Sequence, residues 1–133
     1  MEKHSILIAD DVEINLTYLA ERFSAAGFFT VSAGDGLEAL EKLKVFIPDV
    51  ILTDNVMPRM SGVELIKELQ KNEKLKNVPV IMLTAVDGFE DKEQYASLGV
   101  ADYIIKPLSF DGIFKRVLAV LDKKEGKNVS AAG

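Results

Sequence analysis

Short apolar runs alternate with longer amphipathic stretches five times along this chain. The short runs are Ile6-Leu7-Ile8-Ala9, Phe29-Thr30-Val31, Val50-Ile51-Leu52-Thr53, Val80-Ile81-Met82-Leu83 and Tyr103-Ile104-Ile105. Most are continuous rather than alternating, the pattern of parallel strands buried on both faces. Between them the apolar spacing turns helical. Val12, Leu16, Leu19, Ala20 and Phe23 share one face, and Gly27 supplies a stop. Leu37, Leu40 and Leu43 form a second stripe, and Ser61 with Glu64 reads as a capping box ahead of Val63, Ile66 and Leu69. Phe89 to Leu98 predicts an acidic, weakly amphipathic helix. Phe110, Ile113, Phe114, Val117, Leu118 and Leu121 give the last helix a clean apolar face.

Five strand–helix units imply a parallel sheet with right-handed crossovers and helices on both faces. Five strands do not close an eight-stranded barrel. The expected fold is therefore α/β: a flavodoxin-like, doubly wound, five-stranded parallel sheet of order 2-1-3-4-5. With 133 residues there is room for one domain, expected over residues 1–124. Residues 125–133 lack any period and read as a flexible tail or the start of a linker.

Composition narrows the function. A net charge of -5, with 21 acidic against 16 basic residues, gives no bulk attraction for nucleic acid or an anionic membrane. The absence of cysteine excludes disulfides, thiol catalysis and thiolate metal sites. The apolar stretch after the N-terminus is too short for a signal peptide, and no run suits a membrane span. The expectation is a small cytoplasmic domain.

In an open α/β sheet, ligands bind beyond the carboxyl ends of the strands. There the first strand ends in Asp10-Asp11, the third in Asp54, the fourth in Thr84-Ala85 and the fifth in Lys106-Pro107. Each residue alone has an ordinary structural explanation; Asp10 or Asp11, for instance, suits a helix cap. Together they place three mutually repelling carboxylates, a hydroxyl and an ammonium on one edge. Oxygen ligands of this kind suit Mg²⁺ with a substrate phosphate. The ammonium and hydroxyl suit phosphoryl oxygens. Asp54, ending the central strand, is the natural carboxylate to accept a phosphoryl group.

At these residues the chain resembles the response-regulator receiver domains of two-component signalling. The resemblance spans about residues 4 to 122. It rests on Asp10-Asp11, on Asp54-Asn55-Val56-Met57-Pro58 followed by Gly62, on Leu83-Thr84-Ala85, and on Gly99 with Asp102-Tyr103 and Lys106-Pro107. It implies that Asp54 takes a phosphoryl group from a histidine kinase or phosphotransfer protein. It implies Mg²⁺ held by Asp11 directly, by Asp10 through water, by Asp54 and by the backbone carbonyl of Val56. Lys106 would pair with a phosphoryl oxygen, and its bond to Pro107 is often cis in the family. Thr84 and Tyr103 would form the switch pair, the hydroxyl moving toward the phosphoryl group as the ring turns inward. Such a domain is a phosphoacceptor with self-phosphorylation and autodephosphorylation only, not an enzyme with turnover. Its partners would be the kinase, a downstream protein target or fused output domain, and a phosphorylation-dependent homodimer, with no direct nucleic acid and no membrane.

Two other classes would require different residues at these positions. Haloacid-dehalogenase-like phosphatases carry a second Asp two residues after the nucleophile, where this chain has Val56. A flavodoxin-like cofactor binder would need Gly and hydroxyl residues after the first strand, where Asp10-Asp11-Val12-Glu13 stands. The partner face is expected on the fourth helix, fifth strand and last helix, with Tyr95, Leu98 and Val100 as apolar candidates. Val56 and Val86 are the positions expected to control water access to an aspartyl-phosphate.

Overall fold

The computed structural model describes residues 3–84, 89–107 and 109–125, the side chains of 89–92 excepted. Five strands, β1 (Ser5–Ala9), β2 (Phe29–Ala33), β3 (Val50–Asp54), β4 (Val80–Thr84) and β5 (Asp102–Ile105), alternate with five helices. The helices are α1 (Glu13–Ala25), α2 (Gly36–Leu43), α3 (Gly62–Gln70), α4 (Phe89–Leu98) and α5 (Phe110–Lys124). All strand pairs are parallel and the sheet order is β2-β1-β3-β4-β5, as the hydrophobic pattern predicts.

Alternate residues of β1, β3, β4 and β5 feed two separate cores. Ile6, Ile8, Leu52, Ile81 and Ile104 point to the face covered by α1 and α5, where Phe23, Phe110 and Phe114 cluster edge to face and stacked. Leu7, Ile51 and Met82 point to the opposite face, with Ala39, Leu43, Leu65, Ile66 and Tyr95 of α2, α3 and α4. β3 and β4 are buried at every residue, so the continuous apolar runs reflect burial from both sides.

Local chemistry sets the helix ends. Ser61 and Glu64 form the expected capping box. Ser109 caps α5 and Asp35 caps α2 through their side chains. Gly27 follows α1 at φ 99°, a left-handed position that glycine adopts without strain. Glu125 is the C-cap of α5, and its carboxylate lies 2.8 Å from His4 Nε2.

Two expectations from periodicity, and one about the partner face, are corrected. Val12 is the N-cap of α1 and is half exposed rather than on the buried stripe. Leu37 is exposed, and the buried stripe of α2 runs through Ala39 and Leu43 instead. Tyr95 is only 1% exposed, so it belongs to the core beneath α4 and not to an outer partner face. The proposed tail lies, from residue 126, outside the described residues, as do Ala85 and Val86. Among the described residues no helix is long and apolar enough to cross a membrane.

Candidate acidic phosphoryl site

The carboxyl edge of the sheet gathers the residues expected there. Asp10 follows β1 and is buried; its Oδ1 accepts from the Val12 amide at 2.9 Å. Its backbone amide donates to Ala33 at the end of β2, 3.1 Å away, which pins the turn after β1. Asp54, the last residue of β3, is also buried, and its Oδ1 accepts from the Asn55 amide at 2.8 Å. Asp11 is exposed at the mouth. One carboxylate oxygen from each of Asp10, Asp11 and Asp54 lies within 4.8 Å of the others.

Lys106 closes the group from β5. Its Nζ donates to Asp54 Oδ2 at 3.3 Å and lies 3.8 Å from Asp10 Oδ2. The Lys106–Pro107 bond is cis. Thr84, buried at the end of β4, is joined to Lys106 through the backbone, the Lys106 amide donating to the Thr84 carbonyl at 2.7 Å. Tyr103 does not join the cluster. It lies half-buried over the other core, its ring centroid 6.0 Å from that of Tyr95. Val56 stands two residues beyond Asp54 and is 79% exposed, while its neighbour Met57 is buried in the core.

The electrostatics are lopsided. Burial pushes the Asp10 carboxyl above its usual range, against the Val12 amide and Lys106, which pull it down, while Asp54 and Asp11 push it further up. Asp10 Oδ2 is a buried oxygen that accepts no hydrogen bond within the described structure. A buried carboxylate oxygen without a donor is costly, and a cation bound between it, Asp11 and Asp54 would satisfy it. The donor set is all oxygen, which fits Mg²⁺.

Sequence reasoning missed two features beside this cluster. A cavity of about 240 Å³ opens between α1 and α5 next to Asp10 and Lys106, lined also by Asn15, Tyr18, Pro107 and Ile113. Tyr18 lies one helical turn from Asn15, a spacing visible in the chain although nothing there marks the pocket. The second feature is the pair Asp35–Arg59, whose 24-residue separation hides it from any local pattern.

Similarity to known proteins points the same way. The sequence profile of the family described as response regulator receiver domain matches residues 6–118. The chain is 34% identical over 117 residues to the polar-differentiation response regulator DivK of Brucella ovis, covering 88% of this chain and 95% of that protein. It is 37% identical over 120 residues to the alkaline phosphatase synthesis transcriptional regulatory protein PhoP of Bacillus subtilis, covering 90% of this chain and 49% of that protein. Among solved structures, the receiver domain of the Francisella response regulator 1452 superposes with a TM-score of 0.84 at 34% identity, covering 92% of this chain and 99% of that one. The chain spans about half the length of several curated relatives, and far less of one.

Proposed function

This chain belongs to the response regulator receiver family of two-component signalling, and from that premise we propose that it is a switch thrown by phosphorylation of Asp54. The observation that carries the reading is the contact of Lys106 Nζ with Asp54 Oδ2 at 3.3 Å, beside the unsatisfied Asp10 oxygen. A basic and an acidic group are thereby held ready around one carboxylate at the end of the central strand.

The chemistry follows from these groups. An Asp54 carboxylate oxygen attacks the phosphorus of a phosphohistidine on a kinase or phosphotransfer protein. The phosphorus–nitrogen bond breaks and its electron pair returns to the imidazole. Lys106 then exchanges its contact with a carboxylate oxygen for one with a phosphoryl oxygen, keeping its charge where negative charge gathers. Thr84 offers its hydroxyl to a second phosphoryl oxygen. Asp10, Asp11, Asp54 and the Val56 carbonyl are the groups that would hold Mg²⁺. When bound, the ion offsets the repulsion among three carboxylates and the incoming phosphoryl group.

The switch pair is Thr84 and Tyr103. Thr84 moving toward the phosphoryl group vacates space on the α4 side of β4, and the Tyr103 ring, half-buried there, turns inward. The face of α4, β5 and α5 changes shape and selects the downstream protein, fused output domain or second copy. Leu98 and Val100 stay as its half-buried apolar candidates.

Incubation with a small phosphodonor and Mg²⁺ tests the reading. It should give one phosphoryl group per chain on Asp54, and none on Asp54→Asn with the fold intact. Rapid turnover with no phosphorylated protein accumulating would identify a phosphatase instead, and label retained on the mutant would overturn the assignment to Asp54.

A further inference from the structure

The loop that leads from Asp54 to α3 carries a left-handed residue that is not glycine. Arg59 has φ 66°, a region that non-glycine side chains disfavour and where glycine would be cheaper. The guanidinium is half exposed but not idle. Its Nε donates to Asp35 Oδ2 at 2.7 Å, and the Asp35 side chain is only 12% exposed. Asp35 Oδ1 accepts from the Glu38 amide at 2.8 Å, so both oxygens of this carboxylate are engaged. Glu38 in turn accepts from the Gly34 amide at 2.6 Å.

A second tie runs alongside. The Gly36 amide donates to the Met60 carbonyl at 3.1 Å, and a Cβ at Gly36 would collide with Met60. The corner between β2 and α2 is thus fastened to residues 59 and 60. The same corner holds the turn after β1, because Ala33 accepts from the Asp10 amide. It therefore stands between two parts of the acidic site and grips both.

The acceptor loop is otherwise secured at its ends. The Gly62 amide donates to Asn55 at 2.9 Å, and Asn55 Oδ1 accepts from the Val63 amide at 3.0 Å. Between these ends Val56 projects into solvent while Met57 is buried. An ordinary surface ion pair contributes little. This one differs in holding a disfavoured backbone conformation two residues from the buried Met57.

We propose that Arg59 is a positioning residue: its bond to Asp35 fixes the 55–60 loop in the conformation that presents the Val56 carbonyl together with the three carboxylates. Mg²⁺ affinity and the rate of phosphoryl acceptance then depend on Arg59 through Asp35. The inference rests on the reading of Asp54 as phosphoacceptor with Mg²⁺.

The experiment compares wild type with Arg59→Gly, Arg59→Lys, Asp35→Asn and the double variant Arg59→Gly with Asp35→Asn. Arg59→Gly removes the guanidinium and its ion pair with Asp35 but also relieves the left-handed strain, so the two effects on stability oppose one another. Asp35→Asn keeps the cap on α2. Three quantities are read: Mg²⁺ affinity from amide shifts at residues 10, 11 and 54–56, exchange of the Gly36 amide, and the phosphorylation rate with acetyl phosphate. Arg59→Gly should bind Mg²⁺ about tenfold more weakly, as loss of an outer partner of a metal site does. Its thermal midpoint should stay near wild type while the Gly36 amide exchanges faster. Arg59→Lys should recover much of the affinity, and the double variant should be no weaker than the worse single one. Wild-type Mg²⁺ affinity and rate in Arg59→Gly would overturn the latch alone. If wild type takes no phosphoryl group on Asp54 yet the Mg²⁺ affinities separate as expected, the switch reading falls and the latch stands. A wild type that binds no Mg²⁺ overturns both.

Discussion

The two flanks of the acidic crevice are held in different ways. On the α2–α3 flank, α3 buries five residues, closes its N-terminus with a reciprocal capping box and is tied back to Asn55. The Asp35–Arg59 and Gly36–Met60 bonds fasten the intervening loop to α2. On the α4–β5 flank, the described side chains of α4 bury one residue, Tyr95, with Leu98 half-buried. A hydrogen bond from Gln70 Nε2 to the Leu98 carbonyl, 2.6 Å, links α4 to α3. The difference suits the two tasks proposed above. Oxygen atoms that share a cation must keep their positions, and many small bonds do that. An element proposed to report a change must have an accessible second arrangement, and the described side chains of α4 bury little that would oppose one.

Truncating one anchor on each flank gives the largest effect. Leu65→Ala should lower global stability by about 3 kcal/mol, because α3 cannot collapse around the cavity without moving the core. Tyr95→Ala removes a larger side chain, yet its global cost should be smaller, since releasing α4 locally caps the penalty. Urea unfolding should show the first loss across the whole chain, and amide exchange should show the second confined to residues 93–100. Equal global losses with α4 still protected would erase the distinction between the flanks.

The next effect concerns charge in the crevice. Asp10 is held above the usual carboxylate range, chiefly by burial. With magnesium chelated, its charged form weakens the fold at neutral pH. Lowering the pH through its raised folded value toward the unfolded value of about 3.9 should therefore add stability. Asp10→Asn should stabilise the metal-free protein at pH 7 by about 1–2 kcal/mol, a saving comparable to replacing other costly buried charge. Added Mg²⁺ should raise the thermal midpoint of wild type and barely move the mutant. A mutant less stable than wild type without metal would contradict the account of Asp10 Oδ2.

Asp35 and Glu38 pull the other way, and less strongly. Hydrogen bonding from Arg59 and then from the Glu38 amide holds the Asp35 carboxyl below its ordinary value. The Gly34 amide, followed by Lys42, does the same for Glu38. Stability from such groups is present above their unfolded values, about 3.9 for Asp and 4.3 for Glu, and is lost as pH falls through the lower folded values. Asp35→Asn should flatten the stability curve below about pH 4 and leave its neutral region nearly level apart from the lost ion pair. An unchanged acid limb in thermal melts would remove Asp35 from the acid-sensitive set.

How much of this was legible in the chain differs by flank as well. The strand-end residues Asp10, Asp11, Asp54, Thr84 and Lys106 were readable because a parallel sheet sends every strand terminus to one edge. The capping box at Ser61 was readable because it is local. The Asp35–Arg59 bond was not, since it joins two loops that only the sheet order brings together. Asp35 with Glu38 three residues on did carry a cap signal, although the leucine stripe drew attention to Leu37, which is exposed. There Ala39, small enough to sit against the sheet, took the buried position that spacing had assigned to a leucine. The partner-face expectation takes Tyr95 as an apolar candidate there, yet its ring is deeply buried and docks an otherwise polar helix onto the sheet.

The smallest effect lies at the exposed tip of the fastened loop. Loss of a phosphoryl group from Asp54 needs a water aligned with the bond that breaks. Val56 stands two residues from Asp54, is 79% exposed and offers no side-chain hydrogen bond. On the reading proposed above, it would shield the approach without orienting the water. Val56→Asn keeps nearly the same size and supplies an amide that can hold the nucleophile in place. Because the loop is anchored by Met57 and Arg59, the change should alter the water's surroundings and not the loop. Decay of the phosphorylated protein after donor removal, at fixed Mg²⁺, should therefore quicken by about two- to tenfold, the gain expected from orientation alone without a new general base. The same substitution made on an Arg59→Gly background should accelerate decay less, since an unfastened loop places the amide less well. Decay at the wild-type rate in Val56→Asn would exclude control of the lifetime at this position, and equal acceleration in both backgrounds would show that the fastened loop does not aim residue 56.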